Sequence, residues 1–423
     1  MPHRRMTAAA LTRANTTRNR AVALAAAISL AVVVAACSGI TAGSDPTTDV
    51  MATMSATPTD AASPSPALTP TPIPTPTPTP APVATFGAAT AETQIERTAR
   101  ITGSISPKSV VASHTGYVVA QNMMYTHTVT VYDRNHQLVA TIPDSVDLAS
   151  LGYPEHAGTT KGAPVEAAFS PDGQTAWISN YSMYGNGFGP EGSDTCSPRS
   201  GYDNSFLYKV DMASMTVSAA AQVGAVPKYV AVTPDGRTVL VSNWCSYSLS
   251  IVDAATSRQT SEIPLRAYPR GIVVDPTSRF AYVAAMGTTS VAKVDLATQQ
   301  VTWFDGIGSG PRHLVLSADG STLYVTLNSA GLVAKVDAAT GHVVQRVSTG
   351  QQPRSMAISG DGQSLFVVNY NSSTVTKLRT ADMAVIQSLP TDYHPIGVTY
   401  DNGTGEIWVA CYGGSIIVYR QLV

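Results

Sequence analysis

Proline recurs at Pro227, Pro269, Pro311, Pro353 and Pro395, each 42 residues after the one before, and Pro107 and Pro164 complete a set of seven once two insertions are allowed. A strict period of this length limits the chain to a repeat architecture in which each unit is one supersecondary element. The unit after Pro227 shows which element. Tyr229-Val230-Ala231-Val232 is β-prone, Thr233-Pro234-Asp235-Gly236 is a tight turn, and Val239-Leu240-Val241 returns. Leu249-Ser250-Ile251-Val252-Asp253 forms a third strand, and Asp253 caps the turn into a fourth. Ser170-Pro171-Asp172-Gly173, Ser317-Ala318-Asp319-Gly320 and Ser359-Gly360-Asp361-Gly362 repeat the first turn. Asp295-Leu296-Ala297-Thr298 and Asp337-Ala338-Ala339-Thr340 repeat the second.

Four short strands per unit cannot cover both faces of their own sheet, so the units must stack around an axis as propeller blades. The expected fold is therefore all-β: a seven-bladed β-propeller with four antiparallel strands per blade. Only 28 residues follow Pro395, enough for three strands. The missing fourth is offered by Ala99-Arg100-Ile101-Thr102-Gly103, which approaches Pro107 much as Arg346-Val347-Ser348-Thr349-Gly350 approaches Pro353. An N-terminal strand completing the last blade removes two open edges at once.

At Ser170-Pro171-Asp172-Gly173 with Trp177-Ile178-Ser179-Asn180, at Thr233-Pro234-Asp235-Gly236 with Leu240-Val241-Ser242-Asn243, and at Leu323-Tyr324-Val325-Thr326, the chain resembles the YVTN-repeat propellers, including their YncE-like branch. The resemblance spans roughly residues 93–423 and implies the fold. For function it implies only a spread of surface, periplasmic and binding proteins beside lactonase-like and haem-binding relatives.

Ahead of the propeller, residues 1–36 hold five arginines, no acid and an apolar run over 21–36, the parts of an export signal. The run ends Val34-Ala35-Ala36-Cys37, which resembles the lipobox of bacterial lipoproteins, so Cys37 is the expected lipidation site. Residues 37–92 are rich in Thr, Pro, Ala and Ser, and alternate Thr and Pro from Thr69 to Pro80 except for Ile73. Alternating proline removes ladder donors and blocks a packed core, so this segment reads as an extended stalk with a reach on the order of 150 Å. The expected location is the cell envelope, outside the cytoplasm, with the membrane touched through the lipid alone.

Without the five leader arginines the 26 basic residues fall to 21 against 28 acids, a net of −7. That sign disfavours general nucleic-acid binding. Local charge is different. The residue after each anchor proline is Lys108, Val165, Lys228, Arg270, Arg312, Arg354 or Ile396, five of the seven basic at one structural position near the channel mouth. Such a ring either focuses positive potential on an anionic ligand or pairs with acids on neighbouring blades. The loop after the second strand opens with Asn180-Tyr181, Asn243-Trp244, Asn369-Tyr370 and Cys411-Tyr412 on the same face. The asparagines serve either a ligand or their own turns; Tyr181, Trp244, Tyr370 and Tyr412 are placed to stack beside the basic mouth.

Insertions over residues 144–161, with His156, and 181–204, rich in Gly, Tyr and acids, break the period. The second should overhang the mouth. It carries Cys196, and Cys245 sits in the matching loop of the next blade, so the two are expected to form a disulfide, leaving Cys411 as a buried thiol. An enzyme would draw on Glu166 and His313, with His394 nearby and Asn180, Asn243 and Asn369 on the same face, holding a metal through acid and amide oxygens as the resemblance to lactonase-like propellers implies. No close spacing links these residues, and no haem, phosphate-loop or paired-cysteine motif occurs, so no cofactor is expected. The leading expectation is a monomeric binding module that presents its basic, aromatic-rimmed face to a protein, a wall polymer or a small anion. A metal-dependent lactonase-like hydrolase is the alternative.

Overall fold

The computed structural model describes residues 89–113 and 115–422; the leader, Cys37 and the stalk lie outside them. Seven antiparallel sheets follow one another around an axis. Their innermost strands are Ser109–Ala112, Thr159–Phe169, Pro227–Val232, Pro269–Val274, Pro311–Leu316, Pro353–Ile358 and Pro395–Asp401. Each blade has four strands; blade two adds a fifth, Val146–Asp147, paired with Thr159 and Thr160. The fold is the expected seven-bladed β-propeller.

The blade turns fold for local reasons. Gly173, Gly236, Gly320 and Gly362 close the first hairpins at φ 69, 72, 73 and 71°, the left-handed region that a Cβ penalises. Between the blades lies the apolar core, where Trp177, Phe206, Leu240, Phe366, Trp408 and Tyr419 are almost wholly buried. Each blade covers its faces with its neighbours' side chains, so no blade is stable alone.

Closure uses the chain's two ends. Ile95–Thr102 pairs antiparallel with Ser415–Gln421, from Ile95 opposite Gln421 to Thr102 opposite Ser415. The junction is clamped by Lys377, itself fully buried, which donates from Nζ to the Thr93 carbonyl at 2.7 Å, to Thr93 Oγ1 at 3.1 Å and to Gln421 Oε1 at 2.7 Å. Burial pulls this amine down to about 8, and neutral oxygens satisfy all three of its protons.

One irregularity positions the site. In six blades the ladder register slips directly after the anchor proline: after Pro164, Pro227, Pro269, Pro311, Pro353 and Pro395. Proline has no amide donor, and the residue that follows it is left without a partner across the ladder. A bulged residue is re-aimed out of the pleat, and here the bulged residues gather at the axis.

Candidate functional site

The axial channel narrows to a constriction lined by Lys108, Val165, Arg270, Arg312, Arg354 and Ile396, with Glu166, Tyr229, His313 and Ser355 from the next position along each strand. Its free space is about 10 Å³, room for about one water. On the side of the inner-strand turns the channel widens into a cavity of about 460 Å³ walled mainly by the apolar inner strands. The position after the anchor proline is thus one tier of the channel in six of the seven blades; in the third, the Lys228 amine lies instead against Asp194, Tyr181 and Trp244.

Aromatic residues stand beside these cations because the backbone puts them there. The carbonyl of the residue before the anchor proline accepts from the residue after the second strand: Val226 O from Trp244 N at 3.0 Å, Gln352 O from Tyr370 N at 3.0 Å, His394 O from Tyr412 N at 2.9 Å. Val226, Gln352 and His394 hold φ of 55–56°, a left-handed conformation for which residues with a Cβ have little preference. The Arg354 guanidinium lies 3.6 Å from the Tyr370 ring centroid. Lys228 Nζ lies 4.1 Å from that of Tyr181 and 5.4 Å from that of Trp244. Arg270 is 5.9 Å from the Trp244 ring and Lys108 is 6.0 Å from that of Tyr412. Cation–π contact at these distances steadies the cations without neutralising them.

The charge balance is lopsided. Among the described residues, only Lys228 of the five cations has an ion-pair partner within 4.0 Å, the insertion's Asp194 at 2.6 Å. Arg312 donates to the Arg354 carbonyl at 2.6 Å and Arg354 to Gln352 Oε1 at 3.2 Å; buried Arg354 Nε has no partner. Burial, then the neighbouring cations, pushes Lys108 and Arg312 well down, while Arg270 falls to about 10. Burial also raises Glu166, half-buried in the channel wall, to about 7, against the pull of Ser109 and the ring. His313 drops to about 3 through burial and then Arg312; its Nε2 meets the Tyr229 hydroxyl at 2.9 Å.

The asparagines are a different matter. Asn180, Asn243 and Asn369 are fully buried and spend their amides inside the blades, on Phe206 O, on Ser248 and Ser250, and on Thr349 O, Thr374 and Thr376. They hold the second-to-third-strand loops and do not face the mouth, because each side chain turns inward to hydrogen-bond the third strand of its blade. Cys196 and Cys245 are disulfide-bonded, and Cys411 is a buried free thiol. His156 stacks on Phe188 at 4.1 Å, packing the first insertion against the second. Sequence reading missed Asp194 as a partner of the ring and Tyr229 as the partner of His313, since no periodicity marks either contact.

The Glu166 carboxyl has a measurable consequence. As pH falls through about 7 this group becomes neutral, and the constriction gains one unit of positive charge. Sulfate, which does not titrate here, should bind more tightly at pH 6 than at pH 8. Glu166→Gln should make that dependence shallower, as followed by calorimetric titration; an unaltered slope would show that this carboxyl is not coupled to the site. Lys228, drawn down to about 7 mainly by burial, gains its proton in the same range and accounts for the slope that remains.

Fold and site together define a seven-bladed β-propeller with a cationic, aromatic-flanked axis. The family model "Lactonase, 7-bladed beta-propeller" matches residues 205–343. No curated protein sequence matches the chain. Among solved structures the chain is similar to Kuenenia stuttgartiensis hydrazine synthase, with a TM-score of 0.59 at 18% identity over 76% of this chain and 97% of that one. At that identity the likeness is one of fold.

Proposed function

We propose that the chain is a binding module that receives an anionic group of a protein, a wall polymer or a small molecule at the mouth of the axial constriction. The carrying observation is the surplus of positive charge: four cations line the constriction and Lys228 stands beside it, against one insertion acid, paired with Lys228, and one carboxyl raised to about 7. Buried charge without a partner is expensive, and an incoming anion relieves that expense. In this reading the protein is exported and held at the membrane by a lipid on Cys37, and residues 37–92 carry the propeller clear of the surface. The export-type leader and the Cys196–Cys245 bond, at home in an oxidising compartment, support it. The turn and strand motifs further favour a place among the YVTN-repeat, YncE-like propellers.

The test is titration of the full chain with sulfate, a polyglutamate peptide and a polyol-phosphate polymer, at low ionic strength and again with about 0.3 M salt added. Binding of at least one, weakened by salt, is expected; indifference to all three would end this reading.

The family match favours a second reading, a lactonase-like hydrolase that uses Glu166 and His313. His313 falls within the matched segment and Glu166 outside it. Among the described residues no three His, Cys, Asp or Glu side chains are grouped to hold a metal ion. Turnover of a simple lactone, lost in Glu166→Gln, would bring this reading forward.

A further inference from the structure

The second insertion does more than overhang the ring; it places one of its own carboxylates on it. Asp194 Oδ1 accepts from Lys228 Nζ at 2.6 Å and from the Tyr181 hydroxyl at 3.1 Å. Lys228 is 3% exposed, with its amine beside the Tyr181 and Trp244 rings, whereas the Asp194 side chain is 69% exposed. A buried ammonium, a phenol hydroxyl and two aromatic walls therefore form a fixed seat, and its occupant faces solvent. The backbone around that occupant is pinned separately: Trp244 Nε1 donates to the Asp194 carbonyl at 3.0 Å, Tyr247 and Tyr268 both donate to the Cys196 carbonyl at 3.0 Å, and Cys196 is bonded to Cys245. The side chain can leave the seat while its backbone stays.

We propose that the Lys228–Tyr181–Trp244 seat is a carboxylate-binding subsite and that Asp194 is a tethered stand-in which the ligand's carboxylate displaces. The proposal rests on the anion-binding reading above and gives the ligand a chemistry: a carboxylate, free or on an acidic peptide. Two donors converge on one oxygen, a pattern met by one carboxylate oxygen with the other left in solvent. Lys108, Arg270 and Arg354, partly exposed and without ion-pair partners among the described residues, stay open for the rest of an anionic ligand, while Arg312 is buried. A carboxylate tethered this closely competes at an effective concentration of about millimolar or above, so weak free carboxylates lose to it. The insertion thus sets a threshold and rejects anions that cannot also reach the arginines.

The test compares Asp194→Asn with Glu191→Gln, each removing one negative charge from the same insertion, in the full chain. The probes are acetate and a hexaglutamate peptide, with sulfate as a non-carboxylate anion. Asp194→Asn should bind acetate about 10-fold or more tightly than the parent, and Glu191→Gln less than about 2-fold. Adding Tyr181→Phe or Lys228→Met to Asp194→Asn should remove the gain. Cys196→Ser with Cys245→Ser, which removes one of the insertion's ties and leaves the Trp244, Tyr247 and Tyr268 hydrogen bonds, should shift acetate binding in the same direction as Asp194→Asn but by less. A gain with acetate and hexaglutamate alike admits both sources of carboxylate; a gain with hexaglutamate alone restricts the seat to acidic peptide. Equal effects of Asp194→Asn and Glu191→Gln would reduce the gain to general electrostatics and overturn the subsite. If the parent binds sulfate and Asp194→Asn gains nothing for acetate, the subsite falls and the proposed function stands. If no anion binds any variant, the proposed function falls with it.

Discussion

Removal of Ile95–Thr102 is expected to leave no cooperatively folded propeller. The strand supplies the fourth rung of the last blade along Ser415–Gln421, where Ile416, Ile417, Val418 and Tyr419 are fully buried. Ile95, 2% exposed, packs in the same cluster as Phe366, Ile407 and Tyr419. Losing a buried isoleucine alone costs roughly 2–5 kcal/mol, and each ladder hydrogen bond forgone adds about 1 kcal/mol. The sum rivals the whole stability of an ordinary domain, about 5–15 kcal/mol. The Lys377 amine would lose part of its ligation if the neighbouring Thr93 were displaced, leaving a buried charge short of partners. Thermal unfolding followed by circular dichroism should lose its cooperative transition, and the exposed edge should promote aggregation. An unchanged transition in the deleted chain would mean that the ring closes by other contacts.

Arg312→Gln should move stability and binding in opposite directions. Arg312 is 5% exposed, hydrogen-bonded to the Arg354 carbonyl, and has no acid within 4.0 Å among the described residues. Burial and then Arg270 and Arg354 disfavour its charge. A neutral residue that still donates a hydrogen bond removes that repulsion, so the denaturant midpoint should rise, by about 1 kcal/mol or more in free energy. Loss of one positive charge close beneath a bound anion should weaken sulfate about 10-fold or more. Such opposed effects are typical of residues kept for function at some expense of stability. Lower stability with undiminished sulfate binding would make Arg312 a structural residue and weaken the ring as a site.

Much of this was legible before any coordinates. Seven prolines with five basic successors lie at one structural position, so whatever the fold does with that position it does around the axis. Trp244, Tyr370 and Tyr412 were legible for the same reason: each opens the same loop, and the backbone bond to the residue before proline repeats from blade to blade. The asparagines stayed undecided between ligand and turn because equivalence in a repeat says that residues share an environment without saying which. Their environment proved to be the blade interior, where an amide satisfies a turn.

The sequence by itself determined the number of blades, the strand order and the tier of basic residues, because these follow from period, turn chemistry and the absence of proline's amide hydrogen, all local properties. Only the tertiary structure decided that four of those residues, Lys108, Arg270, Arg312 and Arg354, meet at a constriction with room for about one water, and that Asp194 rests on Lys228 34 residues away in the chain. Contacts of that kind are set by how blades close on one another and by where an insertion without a period settles, and nothing in the local spacing of residues encodes either.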